Sequence, residues 1–168
     1  MLCFLSDVKT KDKKISVVEY QNIGNPKECY TTNESAVRYL LYGSNEPVDK
    51  LSRLFLVRTN KVAGAIQGYN ATHDWEQTHY SYFLHRISDI VPNAKDIVEA
   101  IDFHEDRPIE ENMNALIRVA SRVRTYAKSV REDDPAAEIV LHVDCTGGMR
   151  NASMILVALM RLLQYERI

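Results

Sequence analysis

Leu141-His142-Val143-Asp144-Cys145-Thr146-Gly147-Gly148-Met149-Arg150 is the stretch on which the reading of this 168-residue chain turns. An apolar run enters Asp144, a Thr-Gly-Gly turn follows, and a long apolar-periodic segment occupies residues 151 to about 165. Strand, turn and helix in that order leave main-chain N–H groups unpaired at a helix N-terminus, where the helix dipole is positive. Gly147 and Gly148 bring the main chain close to a ligand without Cβ interference. The layout therefore predicts that Thr146, Gly147, Gly148, Met149, Arg150 and Asn151 bind a phosphate-bearing molecule. A plain tight turn between strand and helix has the same composition, so both readings stand at this level. Asp144 is a poor neighbour for phosphate; its expected task is to accept hydrogen bonds from the turn and fix its shape. Arg150 sits in a first helical turn, where a cation is slightly unfavourable, and a ligand would explain the placement. Asn151 either caps the helix or meets the ligand. Cys145 reads as a small buried filler. Gly148→Glu is expected to abolish binding while leaving the fold intact.

Outward from this loop, strands and helices alternate. Residues 2–5 read as a short buried strand, 9–14 as a solvated turn and 15–20 as a second strand, together a hairpin. Thr32-Asn33-Glu34-Ser35 opens a helix by capping chemistry, with Ala36, Val37, Tyr39, Leu40 and Leu41 as its apolar face and Gly43 at its end. Residues 51–57 form a central strand, followed by the polar turn Arg58-Thr59-Asn60-Lys61. Residues 64–75 show weak periodicity. A helix covers 78–90 and stops near Pro92; a strand covers 96–103. Pro108 opens a helix to about residue 131, with Met113, Leu116, Ile117, Ala120, Val123 and Ala127 on one stripe. Residues 138–143 are the last strand. This order predicts an α/β fold, Rossmann-like, with a mostly parallel sheet flanked by helices and an N-terminal β-hairpin. Ligands in such sheets sit beyond the carboxyl ends of the strands. Those ends should converge, which adds Ser6, Asp7, Thr59, Asn60 and Lys61 to the candidate ligand-binding residues. His104-Glu105-Asp106-Arg107 ends another strand and reads as a solvated loop.

Composition narrows the classes. Net charge is −2, with 21 basic and 23 acidic residues, which disfavours a long nucleic acid as partner. A small anion held by one local site is compatible with that balance. Cys3, Cys29 and Cys145 are odd in number and widely spaced, so neither a disulfide framework nor a metal site is expected, and a reducing cytoplasm fits. The longest apolar run, 154–160, is far short of a membrane span. No repeat or linker is visible, and residues 1–168 read as one domain.

The chain resembles the CARF family, the CRISPR-associated Rossmann-fold sensor domains of type III CRISPR ancillary proteins. Three features carry the likeness. The first strand ends in a polar loop; the capped helix at Thr32-Asn33-Glu34-Ser35 follows; and Asp144-Cys145-Thr146-Gly147-Gly148-Met149-Arg150 is close to that family's Asp-x-Thr-Gly/His-Gly-x-Arg pattern. The resemblance implies binding of a cyclic oligoadenylate, a ring of four or six adenylates, across the two-fold axis of a homodimer. It implies allosteric control of a fused effector in antiviral defence, and that effector would begin where this chain stops. No cofactor is implied beyond the ligand. The Arg-x4-His signature of the common fused ribonuclease is absent from the chain. A ring nuclease that cleaves the same ligand is the alternative, with Ser6, Thr59 and Lys61 as its candidates. An ordinary dinucleotide or ATP site lacks support, since no Gly-x-Gly-x-x-Gly follows the first strand and no Walker A sequence occurs.

Overall fold

The computed structural model describes residues 1–43, 48 and 50–165. Its elements run β1 (Leu2–Phe4), β2 (Thr10–Lys11), β3 (Lys14–Ile15), β4 (Val18–Glu19), β5 (Glu28–Cys29), α1 (Thr32–Arg38), β6 (Leu54–Thr59), α2 (Asn60–Ala63), α3 (His79–Ser88), α4 (Ala94–Ile97), β7 (Val98–Phe103), α5 (Ile109–Asp133), β8 (Val143–Asp144) and α6 (Ala152–Tyr165). Four strands form one parallel sheet in the order β7-β6-β1-β8.

The side-chain alternation of the strands explains why this sheet is covered on both faces. Leu2, Phe4, Phe55, Val57 and Phe103 point to one side and meet Ala115, Val119, Ala120 and Val123 of α5 and Leu156 and Leu159 of α6. Cys3, Leu5, Leu54 and Leu56 point to the other and meet Val37 of α1, Phe83 and Ile87 of α3, and Ala94 of α4. Phe4 and Phe103 pack edge to face, with centroids 5.7 Å apart.

The order of strands places a topological switch at β1. The chain moves from β1 to β6 and β7 on one side, then returns to add β8 on the other. In a parallel sheet such a switch point is where a ligand crevice is expected at the carboxyl ends of the strands, here of β1 and β8.

Several boundaries differ from the sequence reading. Residues 2–5 do not pair with 15–20; β1 pairs in parallel with β6 and β8. The hairpin is β2–β3, turned by Asp12 and Lys13, both at positive φ. A second small ladder joins β4 to β5. The central strand ends at Thr59, and residues 60–63 continue as a helical turn. Ala94–Ile97 is a helical turn before β7 rather than part of it. The last strand keeps only Val143–Asp144, because Leu2–Phe4 offers it a short partner. On α5, Met113 and Ile117 are each 51% exposed; the buried stripe is Ala115, Val119, Ala120, Val123 and Ala127.

Candidate functional site

Asn33 is the hub of the crevice. It is fully buried in the first turn of α1, whose N-cap is Thr31. Its Oδ1 accepts from the Ser6 N–H at 2.7 Å and the Ser6 hydroxyl at 2.8 Å. Its Nδ2 donates to the Phe4 carbonyl at 3.0 Å and to Asp144 Oδ2 at 2.9 Å. One side chain thus ties the end of β1 to the end of β8. Thr32 completes the set, its hydroxyl donating to Ser6 Oγ at 2.7 Å.

Asp144 shapes the turn. Its Oδ1 accepts from the Thr146 N–H at 2.8 Å and the Thr146 hydroxyl at 2.5 Å. A carboxylate that receives an amide two residues on forms an Asx-type turn. Beyond Thr146, Gly147 is buried and Gly148 and Arg150 are exposed. Among the described residues, the N–H groups of Gly147, Gly148, Met149, Arg150 and Asn151 have no hydrogen-bond partner; α6 begins with Ala152, whose N–H reaches the Met149 carbonyl at 2.9 Å.

The two glycines answer to the protein's own packing. A Cβ on Gly147 would lie 2.7 Å from Asn33 Nδ2 and 2.8 Å from the Phe4 carbonyl oxygen. Gly148 has φ +91°, and a Cβ there would overlap Phe4 Cβ and come within 3.0 Å of Ala152 Cβ. The expectation that Gly148→Glu spares the fold is therefore corrected: the side chain would be driven into the core beneath the loop. Met149 packs its side chain, partly buried, against that core. Arg150 and Asn151 are exposed, and neither side chain has a partner among the described residues. Cys145 is exposed rather than a buried filler.

The remaining candidates divide. Ser6 is 9% exposed, with its N–H and hydroxyl committed to Asn33, so it fixes the crevice instead of facing it. Thr59 is buried at the end of β6 and makes no side-chain capping bond to α2. Asn60 donates to Asp106 Oδ1 at 2.7 Å and meets His104 Nδ1 through its Oδ1. Asp7 Oδ2 accepts from Lys61 at 2.7 Å and from Lys9 at 2.8 Å. Burial alone would raise the Asp7 carboxyl, but these two ammonium groups hold it below the usual value. All four strand ends thus meet along one edge.

Cavities lie beside these strand ends, and two of them touch the candidate residues. One, of about 540 Å³, runs beside β8 and α1 and ends at Asp144, Cys145 and Thr146; Tyr20, Tyr39, Leu40 and His142 give it a largely apolar wall. The other, of about 460 Å³, lies beyond β1 and β6 among Asp7, Lys9, Asn60, Lys61 and His79. The aromatic residues Trp75, Tyr80, Tyr82 and Phe83 are engaged elsewhere. Phe83 is core, Tyr82 packs on Tyr30 and Trp75, and Trp75 stacks on His85 at 3.8 Å between centroids. Arg58 lies over Tyr80 at 5.0 Å.

Sequence reasoning missed Asn33 and His79. The signal for Asn33 was an asparagine inside a helix turn, where it is a poor helix former and needs a tertiary reason. His79 gave no signal, since a histidine after an N-cap is ordinary.

No family model, curated protein or solved structure matches the chain. Among the described residues, no group of three or more His, Cys, Asp or Glu is placed to hold a metal ion, and no helix is long and apolar enough to cross a membrane.

Proposed function

We propose that this chain is a CARF-type sensor that binds a cyclic oligoadenylate of four or six units between two copies of itself. In this reading it controls a linked effector in cytoplasmic type III CRISPR defence. The observation that carries it is the run of unpartnered amides at residues 147–151, set at the switch point beside an apolar cavity of about 540 Å³. Amides in a row bind phosphate oxygens. A cavity with Tyr20, Tyr39 and Leu40 on its wall suits an adenine face. A ring with an even number of identical units shares a two-fold axis with a dimer, so one loop serves twice. Helix α6 supports a paired state: it carries one charge, Arg161, yet Met154 is 72% and Val157 47% exposed. The same loop geometry supports the resemblance drawn from Asp144 to Arg150.

Ring cleavage has less support. Of Ser6, Thr59 and Lys61, only Lys61 faces a cavity with its charge exposed. Isothermal titration against rings of three, four and six adenylates tests the proposal. Saturable binding of the four- or six-membered ring at one ring per two chains is expected. Absence of binding to any ring, or equal binding of linear adenylate, overturns it.

A further inference from the structure

The cavity beyond β1 and β6 has its own chemistry. His79 opens α3 and is only 4% exposed. The Val8 N–H donates to its Nδ1 at 2.8 Å. An accepting Nδ1 places the proton of the neutral ring on Nε2. That Nε2–H has no partner among the described residues, and the ring lines the cavity. Among the described residues, the buried side-chain polar atoms without a partner are Arg53 Nε and His142 Nε2, so the His79 Nε2–H is open to the cavity, where an acceptor can reach it. Lys9 and Lys61 line the same cavity, and both are paired to one carboxylate, Asp7. Two ammonium groups against one carboxylate leave a surplus positive charge, at the positive end of the α3 dipole. Fixed donors and surplus positive charge together describe a receptor for an oxyanion.

We propose that this cavity is a second oxyanion site, which takes a phosphate group between Lys61, Lys9 and the Nε2–H of His79. It is separate from the amide loop at 147–151. The proposal rests on the cyclic oligoadenylate reading for the identity of the ligand, and on the residues above for the anion. In a ring-bound dimer, the loop would hold one phosphate and this cavity another.

Inorganic phosphate is the probe. The full chain is titrated at constant pH and ionic strength, with chloride as balance, while the His79 ring is followed by ¹⁵N–¹H NMR. The ring signals are assigned with His79→Gln. Phosphate should move the His79 signals saturably, and Lys61→Met should weaken the half-saturation at least roughly ten-fold, as loss of a charge-assisted bond does. The Lys61 and Lys9 side chains are 67% and 71% exposed, so Lys61→Met and Lys9→Met leave the fold intact. Unmoved His79 signals, or an unchanged half-saturation in Lys61→Met, overturn the site. A parallel titration with cyclic tetra-adenylate reads the amides of Gly147 and Gly148. If the ring moves those amides while phosphate leaves His79 unmoved, the second site falls and the sensor reading stands. If phosphate moves His79 and no ring binds, the reverse holds.

Discussion

The loop after β8 and the cavity beyond β6 occupy the same sheet edge, but they are made of different material. The loop presents main-chain amides, held in place by the buried pair Asn33 and Asp144. The cavity presents side-chain charges, Lys9, Lys61 and Asp7, around one buried imidazole. The difference teaches where each proposed site is vulnerable. An amide site leaves no mark on net charge and fails when its scaffold fails. A side-chain site fails by removal of a single charge and weakens as salt rises, because exposed charges are screened.

The sharpest way to break this contrast is at the hub. Asn33→Ala removes the partner of Asp144 Oδ2, of the Ser6 N–H and of the Phe4 carbonyl, all buried. Leaving a buried hydrogen-bonding group unsatisfied costs about 1–3 kcal/mol, and urea unfolding should show a loss of at least that size together with loss of ring binding. A cost below about 1 kcal/mol, the worth of an ordinary hydrogen bond, would mean that Asn33 does not hold the loop. Next comes Gly148→Ala. Positive φ and the overlap with Phe4 should cost about 1–3 kcal/mol, read as a fall in Tm; an unchanged Tm would show that the loop tolerates a side chain.

Arg150→Ala separates scaffold from contact. The residue is exposed, so stability should stay within about 0.5 kcal/mol, while affinity for a cyclic oligoadenylate should fall roughly ten-fold. Equal affinity would remove Arg150 from the site. The smallest effect is in pH. Burial, the main cause, lowers the His79 pKa below its ordinary 6.5, and Lys61 and Lys9 oppose its protonation while Asp7 favours it. A lowered histidine favours the fold fully above pH 6.5, and that contribution is lost as pH falls through the folded value, because the unfolded chain takes up the proton first. Stability should therefore drop on acidification below about pH 6.5, less steeply in His79→Gln. His142, lowered chiefly by its own burial, contributes in the same direction and remains in the variant. An identical slope in both proteins would mean that His79 is not held neutral.

Much of the fold was legible residue by residue. Leu2 and Phe4 against Cys3 and Leu5 is a period-two pattern apolar on both sides, which only a sheet covered on both faces satisfies. Thr-Gly-Gly between an apolar strand and an apolar helix fixed the place of the loop, and Asp144 as the residue that shapes it. The pairing of residues 2–5 was not legible, because a short apolar strand accepts a hairpin partner or parallel neighbours equally well. The roles of Met113 and Ile117 were not legible either, since α5 has apolar residues on more than one face and packing alone chooses among them. Ser6 read as a candidate ligand-binding residue at a strand end; only its closeness to Asn33 shows its hydroxyl is taken.

By itself, the sequence determined the α/β class, the positions of most helices and the loop from Asp144 to Asn151, because these depend on local periodicity and on glycine and capping chemistry. Only the tertiary structure decided the strand order β7-β6-β1-β8, the switch point at β1 and the bond between Asn33 and Asp144, 111 residues apart. The reason is physical: a contact between such distant residues is set by strand register and by which helix covers which face, and neither is written in the neighbours of either residue.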